Sequence, residues 1–216
     1  ARIVRETGAD AGFAYDGDAD RLIAADEKGE IVDGDRILCI LAADLAESGA
    51  LPQGIAVGTS HTNTGAERWL AARGIRLLRT DVGDRYVSEC MRRTGAAVGG
   101  EQSGHVILSA FSTTGDGILT SGRRARLIES APLSVLADIR LLPQCNVSVR
   151  VRDKVRTLGS EGVRAAVARE SGKVARLVVR ASGTEPVVRI FAEAETARAA
   201  SAAAEGVRRA VLSEEE

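Results

Sequence analysis

Residues 55–95 read IAVGTSHTNTGAERWLAARGIRLLRTDVGDRYVSECMRRTG, and their order decides the fold. IAVGTS is an apolar run of strand length, TGAERWLAARG has helical spacing, IRLLRTD is a second strand and VGDRYVSECMRRTG a second helix. Strands alternating with helices of this length predict a doubly wound, largely parallel α/β sheet. Downstream, AAVGG and HVILS read as strands around the loop GEQSG. Upstream, AGFAY and RLIAAD flank an acidic loop, and EKG turns the chain into EIV. Asp33 then offers an N-cap for a helix over roughly Arg36 to Glu47, closed by Gly49. The composition shifts near Leu142-Pro143-Gln144. Beyond it come CNVSVRV as a strand, EGVRAAVARES as a helix, VARLVVRAS and VVRIFAEAE as strands around the turn SGTEP, and an Ala-rich helix. The expected fold class is α/β, mixed and mostly parallel, followed by a small α+β C-terminal domain. Residues 1–52 are read as the end of one domain, 53–142 as a second, and 143–216 as the last.

The chain has 216 residues, 44% hydrophobic and 27% charged, which suits a soluble globular protein with sizeable cores. A net charge of −1 and 3% aromatics argue against nucleic acid, which asks for a basic surface and stacking platforms. Cys39, Cys90 and Cys145 are odd in number and widely spaced, so reduced thiols in a cytoplasmic protein are expected rather than a disulfide frame or zinc site. The longest apolar run, ILCILAADLA, is too short and interrupted to span a bilayer, and no signal peptide is visible. The chain opens with Ala1 in mid-pattern, as a fragment would.

Four clusters carry chemistry. In AYDGDADRL, Asp16, Asp18 and Asp20 alternate between two apolar runs. Like charges so close repel, and a hard divalent cation such as Mg²⁺ or Ca²⁺ resolves the repulsion; a solvated Asp/Gly turn is the plainer reading. An EF-hand fails, because the position that demands Gly holds Arg21 and the flanks read as strands. Arg21 either meets a further anion such as phosphate or neutralises the carboxylates. In GGEQSGH, glycines let backbone approach a ligand, Glu101 and Ser103 suit sugar hydroxyls, and His105 could move a proton. That loop also reads as an ordinary glycine-rich turn; a serine-hydrolase elbow is not formed. In RASGTEP followed by Arg189, two arginines, two hydroxyls and a pliant backbone make a phosphate cradle without a Walker motif. VGDRYV opens a helix, where Asp84 reads equally as a first-turn acid or as a ligand residue. His61 reads as a loop residue.

DGDADR, GGEQSGH and RASGTEP, in this order and spacing, resemble the α-D-phosphohexomutase family over essentially the whole chain. The resemblance implies four domains around a cleft, and an enzyme phosphoserine that exchanges its phosphoryl group with a hexose phosphate through a bisphosphate. VGDRYV and the segment DGDADRLIAADEKGEIVDGDRIL lean toward hexosamine phosphate, interconverting glucosamine 6-phosphate and glucosamine 1-phosphate; mannose or glucose phosphates are the alternative. By match to the motifs, Asp16, Asp18 and Asp20 would hold Mg²⁺, and Arg21 and His105 would assist proton transfer. Glu101 and Ser103 would grip sugar hydroxyls, and Arg180, Ser182, Gly183, Thr184 and Arg189 the distal phosphate. The family's serine loop has no counterpart. TSHTN lies after the metal loop rather than before it, so the nucleophile is not carried onto Ser60. TSGRRARLIES is more polar than the helix the family places there. A missing N-terminal domain of the same protein is the expected partner, the isolated chain is expected to be inert, and a homodimer is left open. A non-catalytic phosphosugar-binding module is the rival of a different class, and a calcium-binding structural protein is another.

Overall fold

Short apolar runs broken by Asp and Gly set the first elements. Helix α1 (Arg2–Thr7) ends at Gly8 in the left-handed conformation. An antiparallel hairpin of β1 (Ala11–Tyr15) and β2 (Leu22–Asp26) follows, extended by β3 (Ile31–Val32). The acidic loop is the turn of that hairpin. Asp33 caps α2 (Gly34–Glu47), its carboxylate accepting the Arg36 N–H. The computed structural model describes residues 1–215, with the backbone alone for residues 124 and 126. The chain divides into two compact units, one ending at Arg140 and the other starting at Leu141.

The first unit builds its main sheet from β4 (Ile55–Thr59), α3 (Thr64–Ala71), β5 (Arg76–Thr80), α4 (Asp84–Thr94), β6 (Val98–Gly100) and β7 (Val106–Leu108). The strand order is β5-β4-β6-β7. β4 runs parallel to both β5 and β6, whereas β7 returns antiparallel to β6. Helix α2 packs on α3, β6 and β7 and is buried over most of its circumference. Ile37, Leu38 and Leu41 are wholly buried there, each contributing about 1.5–3 kcal/mol. A second cluster of Ile55, Val57, Val87, Met91 and Ile107 joins α4 to the sheet. The boundary expected at 52 lies within the first of the two compact units.

TSGRRARLIES lies almost wholly inside α5 (Gly117–Ile128), capped by Asp116. Its polarity has partners: Arg123 pairs with Asp44 of α2 at 2.7 Å, and Ser121 Oγ accepts from the Tyr15 hydroxyl at 2.7 Å. Helix α6 (Leu133–Leu136) is one turn, too short to show a period.

In the second unit β8 (Gln144–Arg150), β9 (Arg176–Ala181) and β10 (Val187–Glu193) form an antiparallel sheet with β10 in the centre. Helices α7 (Lys154–Gly159), α8 (Glu161–Ser171) and α9 (Ala197–Ser213) complete it. Alternate residues Val188, Ile190 and Ala192 join Val163 of α8 and Ala203, Ala204, Val207 and Val211 of α9 in one core. The small residues of α9 let helix and sheet approach closely. No helix among the described residues is long and apolar enough to cross a membrane.

Candidate functional site

The acidic loop folds back on itself. The Ala19 N–H reaches the Asp16 carbonyl at 3.2 Å, and Ala19 takes a left-handed φ of 59°. That conformation costs a non-glycine residue about 1–2 kcal/mol and survives only where its surroundings enforce it. Here the Gly117 N–H holds the Ala19 carbonyl at 2.9 Å. The result brings one carboxylate oxygen each of Asp16, Asp18 and Asp20 within 4.8 Å of one another. Asp20 Oδ1 is buried and accepts no hydrogen bond. Three converging carboxylates with an unsatisfied buried oxygen are the donor set of a hard divalent cation, so the residues fit Mg²⁺.

Arg21 lies along these carboxylates, with Nε 3.5 Å from Asp16 and 3.7 Å from Asp20, and is half exposed. These are loose ion pairs. The guanidinium is free to serve an anion that arrives with the metal.

Two backbone contacts tie the glycine-rich loop to its neighbours, one to the acidic hairpin and one to the start of α2. The Leu22 N–H donates to the Gly104 carbonyl at 3.0 Å, and the Gly34 N–H to the Gln102 carbonyl at 3.1 Å. Glycine is required at both: a Cβ on Gly34 would stand 2.0 Å from the Glu101 carbonyl oxygen, and one on Gly104 2.2 Å from that of Leu22. An isolated bridge pairs Arg21 with His105. Within one unit, the candidate metal and sugar residues are thus side by side.

His105 has a different setting from the one its residue type suggests. The ring is buried, Nε2 accepts the Gly115 N–H at 3.0 Å, and Nδ1 lies 3.1 Å from Asp20 Oδ2. The Gly115 bond fixes the tautomer, so the ring proton is on Nδ1 and is donated to Asp20. Both ring nitrogens are thus engaged within the chain.

Glu101 is oriented by the start of α4: its Oε1 accepts the Gly83 N–H at 2.8 Å. This ties VGDRYV to GEQSG, which sequence spacing could not reveal. Glu101, Gln102 and Ser103 line a cavity of about 320 Å³ together with Thr59, His61 and Val82. His61, a turn residue as expected, also lines its wall. That wall is braced: Arg79 donates to the Thr59 and Thr62 carbonyls at 3.1 and 2.6 Å, and buried Asp35 accepts the Asn63 N–H at 3.0 Å. The cavity opens at the carboxyl ends of parallel β4, β5 and β6, where ligands bind in open α/β sheets. That rule was the signal that could have brought His61 forward. A larger groove, about 760 Å³ and lined by Phe13, Ile128 and Pro132, shares no residue with either loop.

In the second unit, Arg180 and Arg189 face each other across β9 and β10, and both are exposed. Like charges directly opposite destabilise a sheet unless an anion lies between them. Arg189 is partly engaged by Glu185 at 2.8 Å. Ser182 is buried, its N–H donating to the Val187 carbonyl at 2.9 Å, while Gly183 and Thr184 are exposed at the turn.

The sequence profile described as phosphoglucomutase/phosphomannomutase, alpha/beta/alpha domain III, matches residues 33–141, and that of the family's C-terminal domain matches residues 146–210. The first match opens at Asp33, the cap of α2. The chain is 49% identical over 215 residues to a phosphoglucosamine mutase of Symbiobacterium thermophilum, covering 95% of this chain and 48% of that protein. It spans about half the length of the curated relatives it matches. Among solved structures, a phosphoglucomutase/phosphomannomutase family protein of Burkholderia thailandensis superposes with a TM-score of 0.80 at 24% identity, covering 98% of this chain and 48% of that one. An N-acetylphosphoglucosamine mutase of Aspergillus fumigatus, in complex with GlcNAc-6P and magnesium, does so at 0.75 and 23%, covering 94% and 49%. With both domain profiles matched in order along a mixed α/β unit and a small α+β unit, the chain belongs to the phosphoglucomutase/phosphomannomutase family.

Proposed function

We propose that this chain is the metal-holding and sugar-holding portion of a hexosamine-phosphate mutase that interconverts glucosamine 6-phosphate and glucosamine 1-phosphate. The observation that carries the reading is the junction of two loops in one unit: the Asp16, Asp18 and Asp20 tripod, bridged through Arg21 and His105 to Glu101 and Ser103. In this reading the three aspartates hold Mg²⁺, which supplies positive charge opposite a transferring phosphoryl group. The chain's own residues then position and neutralise. His105 orients Asp20 instead of shuttling protons, and Arg21, beside Asp16 and Asp20, is the cation offered to phosphoryl oxygens. Glu101 Oε2 accepts no protein hydrogen bond among the described residues and is offered to a sugar hydroxyl, with Ser103 beside it. Arg180, Ser182, Gly183, Thr184 and Arg189 take the phosphate that is not reacting.

The phosphoryl donor in this scheme is a phosphoserine on a segment these residues do not include. Its P–O bond breaks as a bond to the sugar hydroxyl oxygen forms, the hydroxyl proton leaving to a base and the freed serine oxygen taking up a proton; the reverse transfer, from the other phosphate of the bisphosphate, restores the phosphoserine. Buried Cys39 and Cys90 and half-buried Cys145 are free thiols, which suits a reducing cytoplasm.

Calorimetric titration of the chain with glucosamine 6-phosphate, in Mg²⁺, tests the reading. Heat that exceeds that for mannose 6-phosphate and is lost in Arg180→Ala supports it. Equal heats for the two sugars would move the assignment to another branch of the family.

A further inference from the structure

We propose that Lys154 is a positioning residue for the phosphate loop: it fixes the Ser182–Gly183 peptide so that the Gly183 N–H is presented to the anion. This rests on the reading of residues 180–189 as a phosphate site and adds a residue that no loop motif contains. Lys154 opens α7 and is half-buried; its Nζ donates to the Ser182 carbonyl at 2.7 Å and to the Glu185 carbonyl at 3.1 Å. These two carbonyls bracket Gly183 and Thr184.

The consequence follows from peptide geometry. In a trans peptide the C=O and N–H point in opposite directions, and no cis bond is present. Pulling the Ser182 oxygen toward Lys154 therefore turns the Gly183 N–H away from it. The Glu185 carbonyl belongs to the peptide of Pro186, which has no N–H, so anchoring that peptide removes no donor. The Ser182 N–H is already committed to Val187, and the Glu185 N–H to Ser182 Oγ at 3.4 Å. Among the described residues the N–H groups of Gly183 and Thr184 meet no protein acceptor. Two consecutive N–H groups in a turn without a protein acceptor are available to an anion. Lys154 takes no carboxylate partner among the described residues either, so its charge adds to that of the facing pair Arg180 and Arg189.

The test uses the isotope-labelled full chain, titrated with inorganic phosphate while amide resonances of Gly183 and Thr184 are followed. Lys154→Met is compared with Arg152→Met, an exposed neighbour whose loss changes the net charge equally. Lys154→Met is expected to weaken phosphate about tenfold, the scale of a lost charge-assisted bond, and to shift the Gly183 resonance before phosphate is added. Arg152→Met is expected to weaken it by less than about twofold, as a screened surface charge would. Lys154→Arg keeps charge and donors and is expected to restore most of the affinity; it decides the matter should Lys154→Met fail to fold. Wild-type affinity in Lys154→Met, or equal losses in Lys154→Met and Arg152→Met, would overturn the proposal. No response of Gly183 or Thr184 in the wild-type chain would overturn the phosphate reading itself, and this inference with it.

Discussion

Replacing His105 separates its two hydrogen bonds, because shorter and longer amides imitate different ring nitrogens. The buried ring donates to Asp20 Oδ2 at 3.1 Å and accepts from Gly115 N–H at 3.0 Å. It also fills the space a Gly115 side chain would take, since a Cβ there would lie 2.5 Å from the ring. Leucine satisfies neither partner. Each buried group left unpaired costs about 1–3 kcal/mol, so His105→Leu should lose about 3–5 kcal/mol once imperfect packing is included. The Asn amide nitrogen occupies the place of Nδ1 and keeps Asp20; the Gln amide oxygen occupies that of Nε2 and keeps Gly115. Each should lose about 1–3 kcal/mol. Their stabilities should be similar, but their metal affinities should part: His105→Asn holds Asp20 in the tripod, whereas His105→Gln releases it. Urea unfolding gives the first quantity and calorimetric Mg²⁺ titration the second. Equal Mg²⁺ affinity in the Asn and Gln variants would refute the positioning argument. A loss below about 1 kcal/mol in the Leu variant would refute the hydrogen-bond reasoning beneath it.

Three further outcomes are expected. Gly34→Ala puts a Cβ against backbone atoms of Glu101 and Gly104 and should cost about 1–3 kcal/mol in unfolding, whereas Gly122→Ala in α5, where a Cβ meets nothing within 4 Å, should be neutral or stabilising. At the C-terminal end of α8, Lys173 just beyond the helix and then Arg169 within it hold the buried Glu170 carboxyl below its ordinary range. A depressed carboxyl stabilises above its unfolded-state value and stops doing so as pH falls through the folded one. The stability gap between wild type and Glu170→Gln, measured by urea unfolding across pH, should therefore be widest near neutrality and shrink in acid. A gap that widens in acid would contradict this. Burial, then the nearby Asp35, drives the Cys39 thiol far upward. Native thiol labelling read by mass spectrometry should mark Cys145 first, with Cys39 and Cys90 reacting only on unfolding.

What the sequence made legible was local. The alternation in DGDADR, the Asp33 cap and the strand-helix order of residues 55–95 depend on neighbours within a few positions. The structure has each of these elements. The antiparallel return of β7 could not be read, because HVILS has the same apolar run in either direction. Nor could the setting of His105, whose two partners lie 85 and 10 residues away. The division expected at residue 52 rested on Pro52 and Gly54, which form a short turn; the burial of α2 against β6 and β7 is a tertiary fact that no local pattern carries. Lys154 escaped for a related reason: α7 is six residues long, below the length at which periodicity speaks.

The facing arginines of the second unit make buffer composition a structural variable. Sulfate and phosphate would act on Arg180 and Arg189 as bridging counterions, relieving the cross-strand repulsion that chloride leaves in place. Melting temperatures taken in phosphate would then sum folding and occupancy, rising with anion concentration by mass action. Substitutions at either arginine would look more damaging in such a buffer than in one containing only monovalent halide. Their separate effects on the sheet and on the ligand emerge only when the two media are compared.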